Sequence, residues 1–318
     1  MLRWREAMHA ALYGPDGFFV TGRPAGHFRT SAQTVPMARA VLRLLARLDT
    51  ALGTPDRLDV VDVGAGGGEL LTALAAGAPT DLARRLRLVG VDLAPRPRLL
   101  PTAVDWRPRV PEGTTGLLLA TEWLDNVPVD VAERDADGTV RQVLVDPATG
   151  DEAPGPPVDG RDAEWLRDWW PLTGPGTRAE IGWPRDDAWA AAVGALDHGL
   201  ALAVDYGHRR DARPPLGTLT GYRQGRQVRP VPDGTTDVTA HVAWDPLVRP
   251  DTVLRSQRDA LRSLGVSATR PPLSAATTDP TGYLRDLAAA THAAELTDPA
   301  GLGAHIWLYQ PVGVDLPW

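Results

Sequence analysis

The chain has 318 residues, a formal net charge of −7 and an apolar fraction of 43%, which suits one large α/β domain with insertions and a sizeable core. It contains neither cysteine nor lysine, which excludes disulfide frameworks, thiolate nucleophiles, cysteine-based metal sites and Schiff-base chemistry. An acidic balance argues against a nucleic-acid backbone as main partner; no apolar run approaches the ~18 residues of a membrane span, and no signal-peptide pattern opens the chain, so a cytoplasmic protein is expected.

In chain order, residues 2–12 show helical spacing, with Leu2, Trp4, Met8, Ala11 and Leu12 on one side, and Gly14-Pro15 ends the pattern. A polar loop led by Gly26 and containing Thr30 follows. Residues 35–52 then form an amphipathic helix with Val41, Leu42, Leu44, Leu45 and Leu48 as its apolar stripe. Residues 1–54 thus read as an N-terminal helical segment beside the cleft.

The run 58–63 is apolar and β-branched, as a parallel strand covered on both faces should be. Residues 70–76 are good helix formers. Between them stand Gly64, Gly66 and Gly68, which permit positive φ and carry no Cβ to keep a ligand off the backbone. A ligand is expected at the carboxyl end of this strand, where open α/β sheets bind small molecules. The dinucleotide fingerprint needs a glycine where this chain has Glu69, and a carboxylate there would oppose a pyrophosphate. The pattern Asp62-Val63-Gly64-Ala65-Gly66-Gly67-Gly68 instead resembles the first motif of class I S-adenosylmethionine (SAM) methyltransferases. That resemblance implies that Asp62, Gly64, Ala65, Gly66 and Gly68 hold the amino acid part of SAM.

Residues 86–92 form a second strand whose acidic end, Asp92, is placed to accept ribose hydroxyls, with Leu93 beside it. Residues 104–106 are a short third strand; Asp105 is a candidate for the adenine amino group, and Trp106 packs either against the adenine or in the core. A fourth buried strand at 117–120 delivers Thr121-Glu122-Trp123-Leu124-Asp125-Asn126-Val127-Pro128 to the same edge. Residues 55–128 are therefore the first half of the core. Beyond them the rhythm breaks: 129–134 and 139–145 read as a hairpin, 148–160 as loop, and 163–167 and 186–196 as helix. The segment 129–197 is an inserted lobe shaping a substrate cleft. The second half, 198–318, resumes with a buried strand at 199–207. Loop and short strand are expected over 217–229 and 235–244, helices over 251–264 and 280–294, and a closing strand over 305–311.

These stretches together, with Tyr13-Gly14, Gly26-His27-Phe28-Arg29-Thr30-Ser31, Asp205-Tyr206-Gly207, Gly217-Thr218-Leu219-Thr220-Gly221-Tyr222-Arg223 and Asp237-Val238-Thr239-Ala240-His241-Val242, resemble the MidA family of SAM-dependent methyltransferases. The resemblance implies an α/β, Rossmann-like class I methyltransferase fold with a doubly wound sheet, N-terminal helices and an inserted hairpin-plus-helices lobe. It further implies SAM as cofactor, with Thr30 on the cofactor side, and, for the mitochondrial members, ω-N-dimethylation of an arginine in a protein partner. The family pattern usually has Asp at His27, Asn at Thr121, Arg at Thr220 and His at Gly225. These departures fall on the substrate side.

Methyl transfer from SAM is an in-line displacement, so alignment supplies most of the catalysis, up to ~7–11 kcal/mol. A guanidinium acceptor is cationic and delocalised, and carboxylates forked onto it would orient one nitrogen. Glu122 and Asp125 are the candidates, with helix capping as the alternative for Asp125. Tyr206 is a second candidate, at the acceptor, and His241 another, to take the released proton; for His241 a structural role competes. The seven histidines lack metal-ligand spacing. The expected partner is a protein substrate, with a small-molecule acceptor or a catalytically silent assembly role as rivals. No nucleic acid or membrane is expected, and the chain is compatible with a homodimer.

Overall fold

The computed structural model describes residues 1–21 and 34–316. Strand Leu58–Val63 is buried at every position and lies in the interior of a seven-stranded sheet. The strand order is Val253–Ser256, Ile306–Val312, Leu196–Asp205, Thr114–Thr121, Leu58–Val63, Leu86–Val91, Val104–Arg107. The last five of these run parallel. Ile306–Val312 is antiparallel to both of its neighbours. From Leu58–Val63 the chain steps outward to Val104–Arg107 and then returns to the other side at Thr114–Thr121. That reversal sets the carboxyl ends of Leu58–Val63 and Thr114–Thr121 side by side, around the crevice where such sheets bind ligands.

Both faces of the sheet are covered, which is why its strands read as apolar runs rather than as alternation. On one face Val60, Leu88, Leu117 and Leu202 pack against Val41, Leu45 and Leu48 of helix Val35–Ala51 and Leu70 and Leu74 of helix Glu69–Gly77. On the other, Val61, Val89, Leu118 and Ala203 meet Trp189 and Ala192 of helix Trp183–Gly194. Each such large side chain contributes ~1.5–3 kcal/mol by leaving water.

The inserted lobe is a five-stranded antiparallel sheet: Leu2–Arg3, Val140–Val145, Asp130–Arg134 and Arg178–Ile181 in order, with Glu152–Pro157 also pairing with Val140–Val145. The N-terminal helix Trp4–Tyr13 belongs with it, burying Trp4, Met8 and Leu12 against Val129, Val131, Val143 and Val238. The expected loop at 148–160 therefore holds a strand; its three prolines are tolerated because it lies at an edge, where missing N–H groups break no second ladder. The expected helix over 251–264 is also corrected. Val253–Ser256 is a strand that pairs with Ile306–Val312, and the helix is only Gln257–Ser263, with the Ser256 side chain accepting from the Asp259 N–H as its cap. The 217–229 region is more regular than expected, since Thr220–Arg223, Arg226–Val228 and Asp237–Thr239 form a three-stranded sheet. Among the described residues no helix is long and apolar enough to cross a membrane.

Candidate active site

The glycine turn leaves strand Leu58–Val63 with φ values of +73° at Gly64 and +54° at Gly66. At Gly64 a Cβ would also lie 2.9 Å from Trp123 Cδ1, so the close approach of the fourth strand's loop requires glycine as much as the backbone does. A Cβ on Gly66 would meet nothing within 4 Å; here the turn borders open space. Asp62 is 5% exposed, and its pKa is pushed up to about 8 by burial and by the nearby charges of Asp92 and Glu69. Among the described residues nothing hydrogen-bonds its carboxylate. Glu69 folds back over Gly67. Three carboxyl groups thus converge on a turn whose backbone is accessible, which fits a ligand bearing an ammonium and a sulfonium, as SAM does.

Asp92 accepts the Gly66 N–H at 2.9 Å through Oδ2 and the Ala94 N–H at 2.8 Å through Oδ1. Each oxygen retains a lone pair for a ribose hydroxyl. Leu93 follows at 64% exposure, on the rim. Asp105, expected at the adenine, is engaged by two arginines. It pairs in register with Val89, and its carboxylate is ion-paired with Arg107 at 2.8 Å and Arg87 at 3.4 Å. Trp106 pairs with Gly90, on the opposite face, which is also the face of Asp62. Its ring fills the space that a Cβ on Gly90 would occupy, and its Nε1 donates to the Ala94 carbonyl at 3.1 Å. The structure therefore brings Trp106, and not Asp105, beside the turn. Thr30 and the rest of its loop lie outside the described residues.

At the neighbouring strand end Glu122 adopts φ +52°, left-handed for a residue with a side chain, and its N–H donates to the Val204 carbonyl at 2.8 Å. Asp125 lies within the short 3₁₀ turn Leu124–Asn126 at 3% exposure. Its side chain caps no helix. Oδ2 accepts from the Tyr206 hydroxyl and from Thr239 Oγ1 at 2.7 Å, while Oδ1 is buried with no hydrogen-bond partner among the described residues. Burial raises the Asp125 pKa against the lowering effect of these two hydroxyls. Asp205 holds the Asp125 N–H at 3.1 Å; burial and then Asp125 and Glu122 raise its pKa well above the usual range. Asp237 accepts from the Asn126 amide at 2.8 Å, and burial, reinforced by Asp125, lifts it to about 8.

Tyr206 is thus anchored through its hydroxyl, which also lies 2.5 Å from Thr239 Oγ1, and its ring sits between two imidazoles. His241 packs edge-on at 5.0 Å between centroids and His305 at 5.5 Å. Burial lowers the pKa of both, that of His305 to about 4. Three participants carried no individual signal in the sequence. His305 comes from the start of the closing strand. Tyr13 donates to the Asn126 carbonyl at 3.2 Å and lies within electrostatic reach of both Asp125 and Asp92. Arg185, from the helix that covers one face of the core sheet, is bonded to four carbonyls behind this cluster of carboxyl groups. Two of the four departures from the MidA pattern have local accounts: Thr220 accepts from Gln227 Nε2 at 3.0 Å within its hairpin, and Gly225 with Gln224 forms a two-residue turn with both φ positive, as type I′ requires; His27 lies outside the described residues.

A family model described as "Putative S-adenosyl-L-methionine-dependent methyltransferase" matches residues 38–255, which is more than half of the chain and spans both the glycine turn and the strand end that carries Glu122 and Asp125. The chain belongs to this methyltransferase family. Two solved structures from Burkholderia thailandensis are similar over 99% of this chain and 88% of theirs. One, a methyl transferase candidate of the COG1565 superfamily bound to S-adenosyl-homocysteine, is 23% identical with a TM-score of 0.81. The other, a native protein of the same superfamily, is 25% identical with a TM-score of 0.76. No curated protein matches the chain.

The methyltransferase uses SAM, which supplies a methyl group activated by its sulfonium. The fold is the expected mixed α/β class, and its parts have separable tasks. The carboxyl groups of Asp62 and Glu69 lie at the glycine turn, Asp92 is hydrogen-bonded to it, and Trp106 packs beside it. Glu122 and the Asp125 cluster lie at the next strand end.

Proposed function

We propose that the methyl acceptor is the guanidinium of an arginine in a protein partner, held by Glu122 with Asp125 and Asp237 behind it. The observation that carries this reading is the gathering of Glu122, Asp125, Asp205 and Asp237 from separate elements, close enough that Asp125 and Glu122 raise the pKa values of Asp205 and Asp237. Buried carboxylates without a cation are costly. The buried guanidinium of Arg185 acts on Asp125 and Asp205 from a distance and offsets only part of this charge, and a cationic acceptor would offset more of it. An acidic pocket keeps a lysine ammonium protonated, with no lone pair to donate, whereas a guanidinium remains planar, forks onto carboxylates and keeps delocalised electron density. Tyr13, Tyr206 and Tyr222 add aromatic rings around the same carboxylates. The net charge of −7 supports a protein partner over a nucleic acid.

In the transfer a guanidinium nitrogen forms the new N–C bond as the S–C bond breaks, and that nitrogen gives up one proton. His241, with its pKa lowered by burial, is neutral at pH 7 and able to accept it. The test is to incubate extract of the producing cells with SAM labelled in the methyl group, hydrolyse the protein and separate the amino acids. Label in methylarginine supports the reading, and label confined to a solvent-extractable small molecule overturns it.

A further inference from the structure

Helix Trp183–Gly194 buries Arg185 to 2% exposure. Its Nε donates to the Val127 carbonyl at 3.1 Å, Nη1 to the carbonyls of Ala240 and His241 at 3.0 and 2.9 Å, and Nη2 to the Asp125 carbonyl at 2.5 Å. Among the described residues no carboxylate is ion-paired with it. Burial lowers its pKa, while Asp125, Asp205 and Glu180 act from further away to sustain the charge. A buried cation matched only to carbonyls costs several kcal/mol of desolvation, about what an apolar side chain of the same volume would avoid. Its four acceptors come from two separate loops, both at the acceptor edge. Asp125 is gripped at both ends of its backbone, since its N–H is held by Asp205 at 3.1 Å and its carbonyl also receives the Ala240 N–H at 3.3 Å.

We infer that Arg185 is a positioning residue for methyl transfer: reaching in from the helix that covers one face of the core sheet, its guanidinium locks the backbone of Asp125 and Val127 against that of Ala240 and His241, and so sets the carboxylates of the acceptor edge relative to the imidazole. The inference rests on the acceptor site proposed above. A lysine at this position keeps the charge but has one compact ammonium with three donors, which cannot span four carbonyls on two loops. A misplacement of ~1 Å at the acceptor edge is enough to cost ~100-fold in rate. The glycine turn leaves a different strand, and none of its carbonyls is among the four that Arg185 binds.

His241 reports on the clamp. Facing it are the rings of Tyr206 and His208, at 5.0 and 6.4 Å, the imidazole of His305, and the charges of Glu180, Arg185 and Asp125, while its backbone N–H donates to Thr218 Oγ1 at 2.9 Å. Burial lowers its pKa first; Arg185 adds to that lowering, and Glu180 and Asp125 oppose it.

The experiment uses the full chain as wild type, Arg185→Lys and Arg185→Met. S-adenosyl-homocysteine affinity is measured by calorimetry, methyl label passed from SAM to extract is counted, and the His241 resonance, assigned with His241→Gln, is titrated by NMR. The inference expects unchanged S-adenosyl-homocysteine affinity, transfer lowered ~100-fold in both variants, and a His241 pKa that moves up in Arg185→Met. It is overturned if transfer in Arg185→Lys stays at the wild-type rate, if transfer falls only in proportion to the fraction of protein that binds S-adenosyl-homocysteine, or if both variants lose that binding. Should the wild-type label enter a small molecule, the arginine reading fails, and the effect of Arg185 on that same label still decides the inference.

Discussion

The Asp92 carboxylate accepts the Gly66 N–H at 2.9 Å, which fastens the end of one core strand to the turn that leaves the next. Because Oδ1 also holds the Ala94 N–H, this side chain organises the backbone on both sides of the cofactor crevice. Charge-assisted bonds of this kind contribute ~1.5–3 kcal/mol each. Asp92→Ala should therefore weaken SAM binding about 10–100-fold by calorimetry, and Asp92→Asn, which retains one acceptor oxygen, should weaken it less. Equal losses in the two variants would show that the second oxygen does nothing.

The raised pKa of Asp62 predicts that cofactor binding depends on pH. Its folded pKa of about 8 lies above the ~3.9 of an unfolded aspartate, so between these values the folded, ligand-free protein binds more protons than the unfolded chain. The stability it contributes is complete below ~pH 4 and is lost as pH rises through about 8. SAM affinity should move the other way, increasing between about pH 6 and 8 as the carboxylate forms opposite the ligand's ammonium. Thermal melts and calorimetry at several pH values check both slopes, and Asp62→Asn should flatten the affinity profile.

Gly64→Ala places a Cβ at φ +73° and 2.9 Å from the Trp123 ring. The left-handed backbone alone costs ~1–2 kcal/mol, so the variant should lose about 1–3 kcal/mol in urea unfolding. Trp123→Ala in the same chain should relieve the steric part and leave the backbone part. Simple additivity of the two substitutions would rule out the contact as a cause.

Tyr206→Phe removes one of the two hydroxyl donors on Asp125 Oδ2 while Thr239 keeps the other. Loss of a buried charge-assisted bond predicts destabilisation of ~1–3 kcal/mol. Because the ring still packs between His241 and His305, the fold should persist, and methyl transfer should fall more than SAM affinity does. A fall in SAM affinity as large as that in transfer would place Tyr206 at the cofactor.

What could be read without coordinates follows from burial. Leu58–Val63, Leu86–Val91, Thr114–Thr121 and Leu196–Asp205 are covered on both faces and so carry unbroken apolar runs, and the acids at their ends fall at one edge once the strands are parallel. Val253–Ser256 and Glu152–Pro157 are short edge strands, only half-buried or exposed. They lack that signal and read as helix and loop. Within the site, residue type and position were legible but pairing was not. Nothing local tells that Asp105 belongs to Arg87 and Arg107, or that the Asp125 carboxylate is taken by hydroxyls 81 and 114 positions away. Arg185 was the least legible, since a charged residue in the first turn of a helix looks solvated and its acceptors stand 55 to 60 positions distant.

The division between a turn that holds SAM and a strand end that holds the acceptor is tested most directly at Glu122. In Glu122→Gln, SAM affinity by calorimetry and methyl transfer to the extract acceptor are measured on the same preparation. The account predicts SAM affinity within about twofold of wild type, a change below 0.5 kcal/mol, with transfer abolished. Retained transfer, or a loss of SAM affinity that matches the loss of transfer, would contradict it.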